Sequence, residues 1–86
     1  MAVRYVVQGT YQIPGRGPVV LGLLLEGDVL SGDTLMVEET GAPVRIAFVD
    51  FHTRQTDEGL MVSLRLHSED AHAVTAGSTL VSPPAT

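Results

Sequence analysis

Asp50 and His52 are the residues of this chain best spaced to do chemistry together. Two apart on an extended segment, their side chains share a face, and a carboxylate beside an imidazole is the starting material of acid-base catalysis or of a metal site. The remaining donors do not complete either arrangement. There are no cysteines, and His67 and His72 lie well downstream, with no H-E-x-x-H pattern to bring a third ligand to the pair. No serine sits in a G-x-S-x-G elbow, and the Asp57-Glu58 and Glu69-Asp70 carboxylates are adjacent, so they splay apart on a strand or turn. The expectation is a protein that is not an enzyme and needs neither metal nor cofactor. His52 then reads as a strand-end residue, and His67 and His72 as surface or turn residues.

A second constellation is the loop Ile13 to Pro18, IPGRGP. Gly15 and Gly17 permit backbone angles that a side chain penalises and Pro14 fixes the approach. With Arg16 between the glycines, successive N–H groups can form an anion-binding nest; a tight turn between strands explains the same residues without a ligand. Beyond this loop the charge argues against a nucleic-acid grip. Ten acidic residues face five arginines and no lysine, for a net charge of −5, and Arg4, Arg16, Arg45, Arg54 and Arg65 are dispersed. A protein that holds a duplex neutralises several phosphates at once, so extensive nucleic-acid binding is not expected. A local contact with an RNA end remains compatible with this balance.

The elements that position these groups are short strands. Val3, Tyr5 and Val7 alternate with Arg4, Val6 and Gln8 in a first strand that ends near Tyr11. Val19 to Glu26 is nearly all apolar, so both faces of a second strand need cover. Gly22 inside it marks a bulge or a close backbone approach. Gly27 and Gly32 belong to the turns Glu26-Gly27-Asp28 and Ser31-Gly32-Asp33. A third strand spans Thr34 to Glu39. In a fourth, Val44, Ile46, Phe48 and Asp50 share one face, with Arg45, Ala47, Val49 and Phe51 on the other. Thr53 to Gly59 reads as a turn, and Leu60 to His67 is a clean amphipathic strand. Ser68 to Ala76 is the one helical candidate, with Ser68 as N-cap and Glu69 and Asp70 favourably placed. Ser78 to Val81 closes the set. The pattern predicts an all-β fold, a small closed antiparallel β-barrel of about six strands, in which closure removes the exposed edges. It occupies residues 1–82 as one domain, with a mobile tail at 83–86.

The 86 residues and their 44% hydrophobic content suit one modest core. Absence of cysteine points to a reducing, cytoplasmic setting. The N-terminus lacks the pattern of a secretion signal, and no apolar run approaches the ~20 residues of a membrane helix, so no membrane association is expected.

The order of these motifs resembles the second, β-barrel domain of the translational GTPases, best known from elongation factor Tu. Gly15-Arg16-Gly17, Val19-Val20-Leu21-Gly22, Glu26-Gly27 and Gly32-Asp33 follow that family's order. Val49-Asp50-Phe51-His52, Asp57-Glu58-Gly59 and Val74 to Val81 continue it across nearly the whole chain. No G-x-x-x-x-G-K-[ST] loop is present, so these residues cannot hydrolyse GTP by that family's mechanism. The resemblance implies a ligand face: in the family this barrel contributes to the pocket for the aminoacylated 3′ end of tRNA. Tyr11 matches a pocket phenylalanine, and Asp50 matches a glutamate that meets the terminal adenosine. The sequence departs from the family where Gly9 replaces an acidic residue, His52 an aromatic and Thr53 a basic residue, and where the segment after Gly59 is shorter. The implied function is a stand-alone binding module that contacts tRNA ends, RNA or translation components through Tyr11, Arg16, Asp50 and His52. The alternative is a protein-interaction or self-assembling domain with no RNA ligand, suggested by Val19 to Leu25 and by Met36 and Met61, read as exposed.

Overall fold

Apolar residues at alternating positions set the strands, and the strands close on themselves. The computed structural model describes residues 2–15 and 17–83, except for the side chains at 50–54. Among these residues it contains β1 (Arg4–Ile13), β2 (Gly17–Glu26), β3 (Thr34–Val37), β4 (Pro43–Gln55), β5 (Leu60–Leu66) and β6 (Thr79–Val81). They form a closed barrel in the order β1-β2-β5-β4-β3-β6, every pairing antiparallel. No helix among the described residues is long and apolar enough to cross a membrane. The expected tail lies almost wholly outside the described residues.

One face of each strand fills the interior. Tyr5, Val7, Val20, Leu35, Val37, Val44, Ile46, Val62, Leu64, Leu66 and Leu80 make the core, joined by Val29 and Val74 from the connections. Burying each of the larger side chains contributes about 1.5–3 kcal/mol.

Tyr5 ties three strands together. Its ring lies over Gly22 of β2, and its hydroxyl donates a 2.6 Å hydrogen bond to the Val62 carbonyl of β5, the residue paired with Gly22. A Cβ on Gly22 would fall onto the Val6 carbonyl oxygen and stand 2.8 Å from the Tyr5 ring. The expected close approach at Gly22 is therefore real, and the bulge sits opposite it. Val7 pairs with Gly22 and Gly9 with Leu21, which leaves Gln8 as the extra residue of β1. Gly15, Gly17, Gly27 and Gly32 all take positive φ, as their turns require.

Three expectations need correction. Phe48 does not share the inner face with Val44 and Ile46. Ile46 pairs with Leu66 and Phe48 with Arg65, so Ala47 is a bulge that turns Phe48 outward, 43% exposed, and brings Val49 against the core. Secondly, β4 continues to Gln55, and the turn is confined to Thr56–Gly59, closed by the Thr56 hydroxyl donating to the Gly59 carbonyl at 2.7 Å. Thirdly, the helical candidate is one 3-10 turn, Ala71–Ala73, whose N-cap position is Asp70, not Ser68, with no capping bond from its side chain. The Asp70 carboxylate instead accepts from the Arg45 backbone N–H at 2.9 Å and from its Nε at 3.1 Å.

Candidate ligand-binding face

The outward residues of β1, β2, β5 and β4 form cross-strand rows. Tyr11 pairs with Val19, Val19 with Arg65 and Arg65 with Phe48. This places an aromatic ring, an aliphatic side chain, a guanidinium and a second aromatic ring in one line, over three inter-strand steps of about 4.8 Å each. The adjacent row runs Gly9, Leu21, Ser63 and Asp50.

Tyr11 is 54% exposed, and its ring folds back over Gly9. A Cβ at Gly9 would stand 2.8 Å from the Tyr11 hydroxyl oxygen and 3.2 Å from Cε2 and Cζ. The glycine that departs from the family pattern is thus what lets the tyrosine lie flat across both rows. At the other end the Arg65 guanidinium lies over Phe48, with Cζ 5.3 Å from the ring centroid, a cation–π arrangement. Arg65 Nε is shielded from solvent and has no acceptor among the described residues.

The other described arginines are occupied. Arg4 pairs with Glu38 at 3.1 Å, and Arg45 with Glu69 at 2.9 Å and Asp70 at 3.1 Å. The two bonds from Arg45, led by its backbone N–H, hold the Asp70 carboxyl below the usual carboxylate range. Burial pushes the Tyr5 phenol well above the usual range, so it stays a neutral donor.

Of the residues singled out in the sequence, Tyr11 lies on this face. Asp50 belongs to it by register, opposite Ser63, while its side chain and that of His52 fall outside the described residues. The ladder is irregular between Asp50 and Arg54, so strict two-residue alternation does not carry through this segment. Arg16 also lies outside the described residues, between Gly15 and Gly17. His72 lines a groove of about 360 Å³ whose wall also includes Tyr11 and Val19 of the row, with Pro18 and Leu66. No three potential metal ligands cluster among the described residues. Met36 and Met61 are half-buried, not exposed. Sequence reasoning missed Arg65 and Phe48. Arg65 read as the polar side of an amphipathic strand, and Phe48 as sharing a face with Val44 and Ile46.

The bacterial selenocysteine-specific elongation factor EF-Sec has a similar fold in its crystal structure, with a TM-score of 0.73 and 28% sequence identity over 94% of this chain. This is a β-barrel of the translation-factor domain 2 type. This chain matches 14% of the length of that elongation factor, and the likeness is to a translation-factor barrel and not to a catalytic domain. No protein family matches the sequence, and no curated protein does.

Proposed function

We propose that this domain 2 barrel is a non-catalytic binding module of the translation machinery that takes the 3′ end of an aminoacylated RNA on the outer face of β1, β2, β5 and β4. The observation that carries this reading is the outward row Tyr11, Val19, Arg65, Phe48, half-buried in the middle and exposed at its two aromatic ends. Aromatic faces and an adjoining guanidinium are what an unpaired base packs against, and such contacts are worth about 1–3 kcal/mol per base. The net charge of −5 fits a short terminal contact and not a grip on a duplex backbone. A likeness to a selenocysteine-specific elongation factor supports a role at the charged end of a tRNA.

An amide NMR titration of the isotope-labelled domain with aminoacylated acceptor-stem RNA, with uncharged RNA as control, tests this. Saturable shifts along the Tyr11–Phe48 row that depend on the aminoacyl group are the expected result. Absence of shifts at high concentration would reject it in favour of a protein-interaction role, which light scattering and partner titration then address.

A further inference from the structure

Closure of the barrel leaves one edge of β1 open. β6 pairs with Arg4, Tyr5 and Val6 only, and the last bonds on that side join Val7 to Ser78 and to Gly77, each at 2.8 Å. Beyond Val7 no backbone partner follows on this side among the described residues, although β1 runs on to Ile13 and is exposed from Thr10 onward. The free backbone groups can be assigned. Val7 spends its N–H and C=O on the β6 side, so its pair with Gly22 is not a hydrogen-bonded one, and alternation along β2 makes Val20 and Pro18 the same. Pro18 has no N–H to give and fits this. The N–H and C=O of their partners, Thr10 and Gln12, therefore point away from β2 into the open side. An unpaired edge is a template for another strand, and proteins ordinarily guard it with charge. Here there is none. No charged residue lies between Arg4 and Arg16 in a chain of net charge −5, so along this strip two copies meet without like-charge repulsion.

We propose that the Gln8 to Ile13 edge of β1 pairs antiparallel with the same edge of a second copy of this chain, across a two-fold axis at Tyr11. The register follows from the donors. Centred on Tyr11, Thr10 of each copy exchanges both backbone bonds with Gln12 of the other. Centring on Thr10 would set Gln12 against the bulged Gln8, and centring on Gln12 would set Thr10 against Pro14, which has no N–H. The side chains agree with the same register. On the outer side Tyr11 meets Tyr11, and Ile13 meets Gly9, whose bare backbone leaves room for it; on the inner side Thr10 meets Gln12, two polar groups able to bond. The contact is isologous and closes at two copies, because each copy spends its open β1 edge on the other. This pairing stands apart from the RNA-end reading and does not rest on it.

Sedimentation velocity of the whole chain tests this, with Gln12→Pro and Gln12→Ala as variants. A strip this short buries less than the about 1,200–2,000 Å² of a stable interface, so the expected result is a monomer–dimer equilibrium between about 10 μM and about 1 mM. Gln12→Pro removes an N–H that the β1–β2 ladder does not use, so the fold should remain while self-association weakens by at least about tenfold. Gln12→Ala keeps that N–H and should cost far less. In a mixture of ¹³C-labelled and unlabelled chains, an isotope-filtered Overhauser contact between the Tyr11 Hα protons of the two copies should appear, the mark of a non-hydrogen-bonded antiparallel pair. A mass that stays monomeric up to about 1 mM, or a dimer that survives Gln12→Pro in a spectrum showing an intact fold, would overturn the proposal. So would a dimeric sample of the unaltered protein without the Tyr11 contact, which needs no variant to fold.

Discussion

The hydroxyl of Tyr11 stands 2.8 Å from the point that a Cβ on Gly9 would occupy, with two further ring carbons at 3.2 Å. Both residues sit on the outer side of β1, two apart, and the ring uses the bare backbone of the glycine as its bed. A second tyrosine does the same inside the barrel, where the Tyr5 ring covers Gly22. The two pairs differ in what can yield, and that difference sets opposite consequences for the same kind of substitution.

Gly9→Ala puts a methyl group against the free end of an exposed side chain. The Tyr11 ring can swing away, so stability should change by less than about 0.5 kcal/mol, as for ordinary surface substitutions. The platform should be lost nonetheless. Ring-to-Gly9 nuclear Overhauser contacts should vanish, and affinity for a base should fall towards that of Tyr11→Ala. Unchanged ring contacts in Gly9→Ala would show that the ring does not depend on the glycine.

Gly22→Ala meets groups that cannot move. The new methyl would strike the Val6 carbonyl oxygen and the fully buried Tyr5 ring, and Tyr5 is held in place by its bond to the Val62 carbonyl. Overpacking of this kind costs about 1–3 kcal/mol. Urea denaturation should show the loss, together with a fall in Tm of at least about 4 °C for a domain of this size.

The buried Tyr5 phenol also gives stability a pH dependence. Its folded ionisation is raised above that of the unfolded chain by desolvation, so its contribution is intact below an unfolded value of about 10 and is lost as pH rises further. Above that value the unfolding free energy should drop by up to about 1.4 kcal/mol per pH unit from this group. Tyr5→Phe should remove that component of the slope. It should also lower stability at neutral pH by about 1–3 kcal/mol, because the Val62 carbonyl loses its partner.

The alternating strands were legible because their two faces differ in polarity. Tyr5 and Val7 opposing Arg4 and Gln8, and Leu64 and Leu66 opposing Arg65, place the core without any knowledge of the barrel. The bulge in β4 was not legible. Phe48 lies in phase with Val44 and Ile46 along the sequence, and nothing in its neighbours signals that Ala47 is looped out; only pairing with Leu66 and Arg65 decides it. The site suffers most from this. Tyr11 stood out through the family resemblance, but Arg65 and Phe48 become a pair only once β4 and β5 are in register. The Ser68 cap failed for a related reason, since tertiary contact with Arg45 claims Asp70 and leaves a single 3-10 turn.

That contact yields the last prediction. Asp70 anchors the connection after β5 to the start of β4 by accepting from both the backbone and the side chain of Arg45. Glu69 reaches the same guanidinium at 2.9 Å from a side chain that is 80% exposed, where solvent and salt screen the pair. Asp70→Asn should therefore lower Tm and speed amide exchange of Arg45 and of Ala73 and Val74 in the 3-10 turn, while Glu69→Gln should leave both unchanged. The Asp70 carboxyl is lowered in the folded state, chiefly by the Arg45 backbone N–H. Its contribution is present above the unfolded value of about 3.9 and is lost as pH falls below it through the folded one. Acid unfolding followed from pH 5 downward should thus be less steep in Asp70→Asn than in the unaltered protein. An unchanged acid slope would mean that another carboxylate carries it.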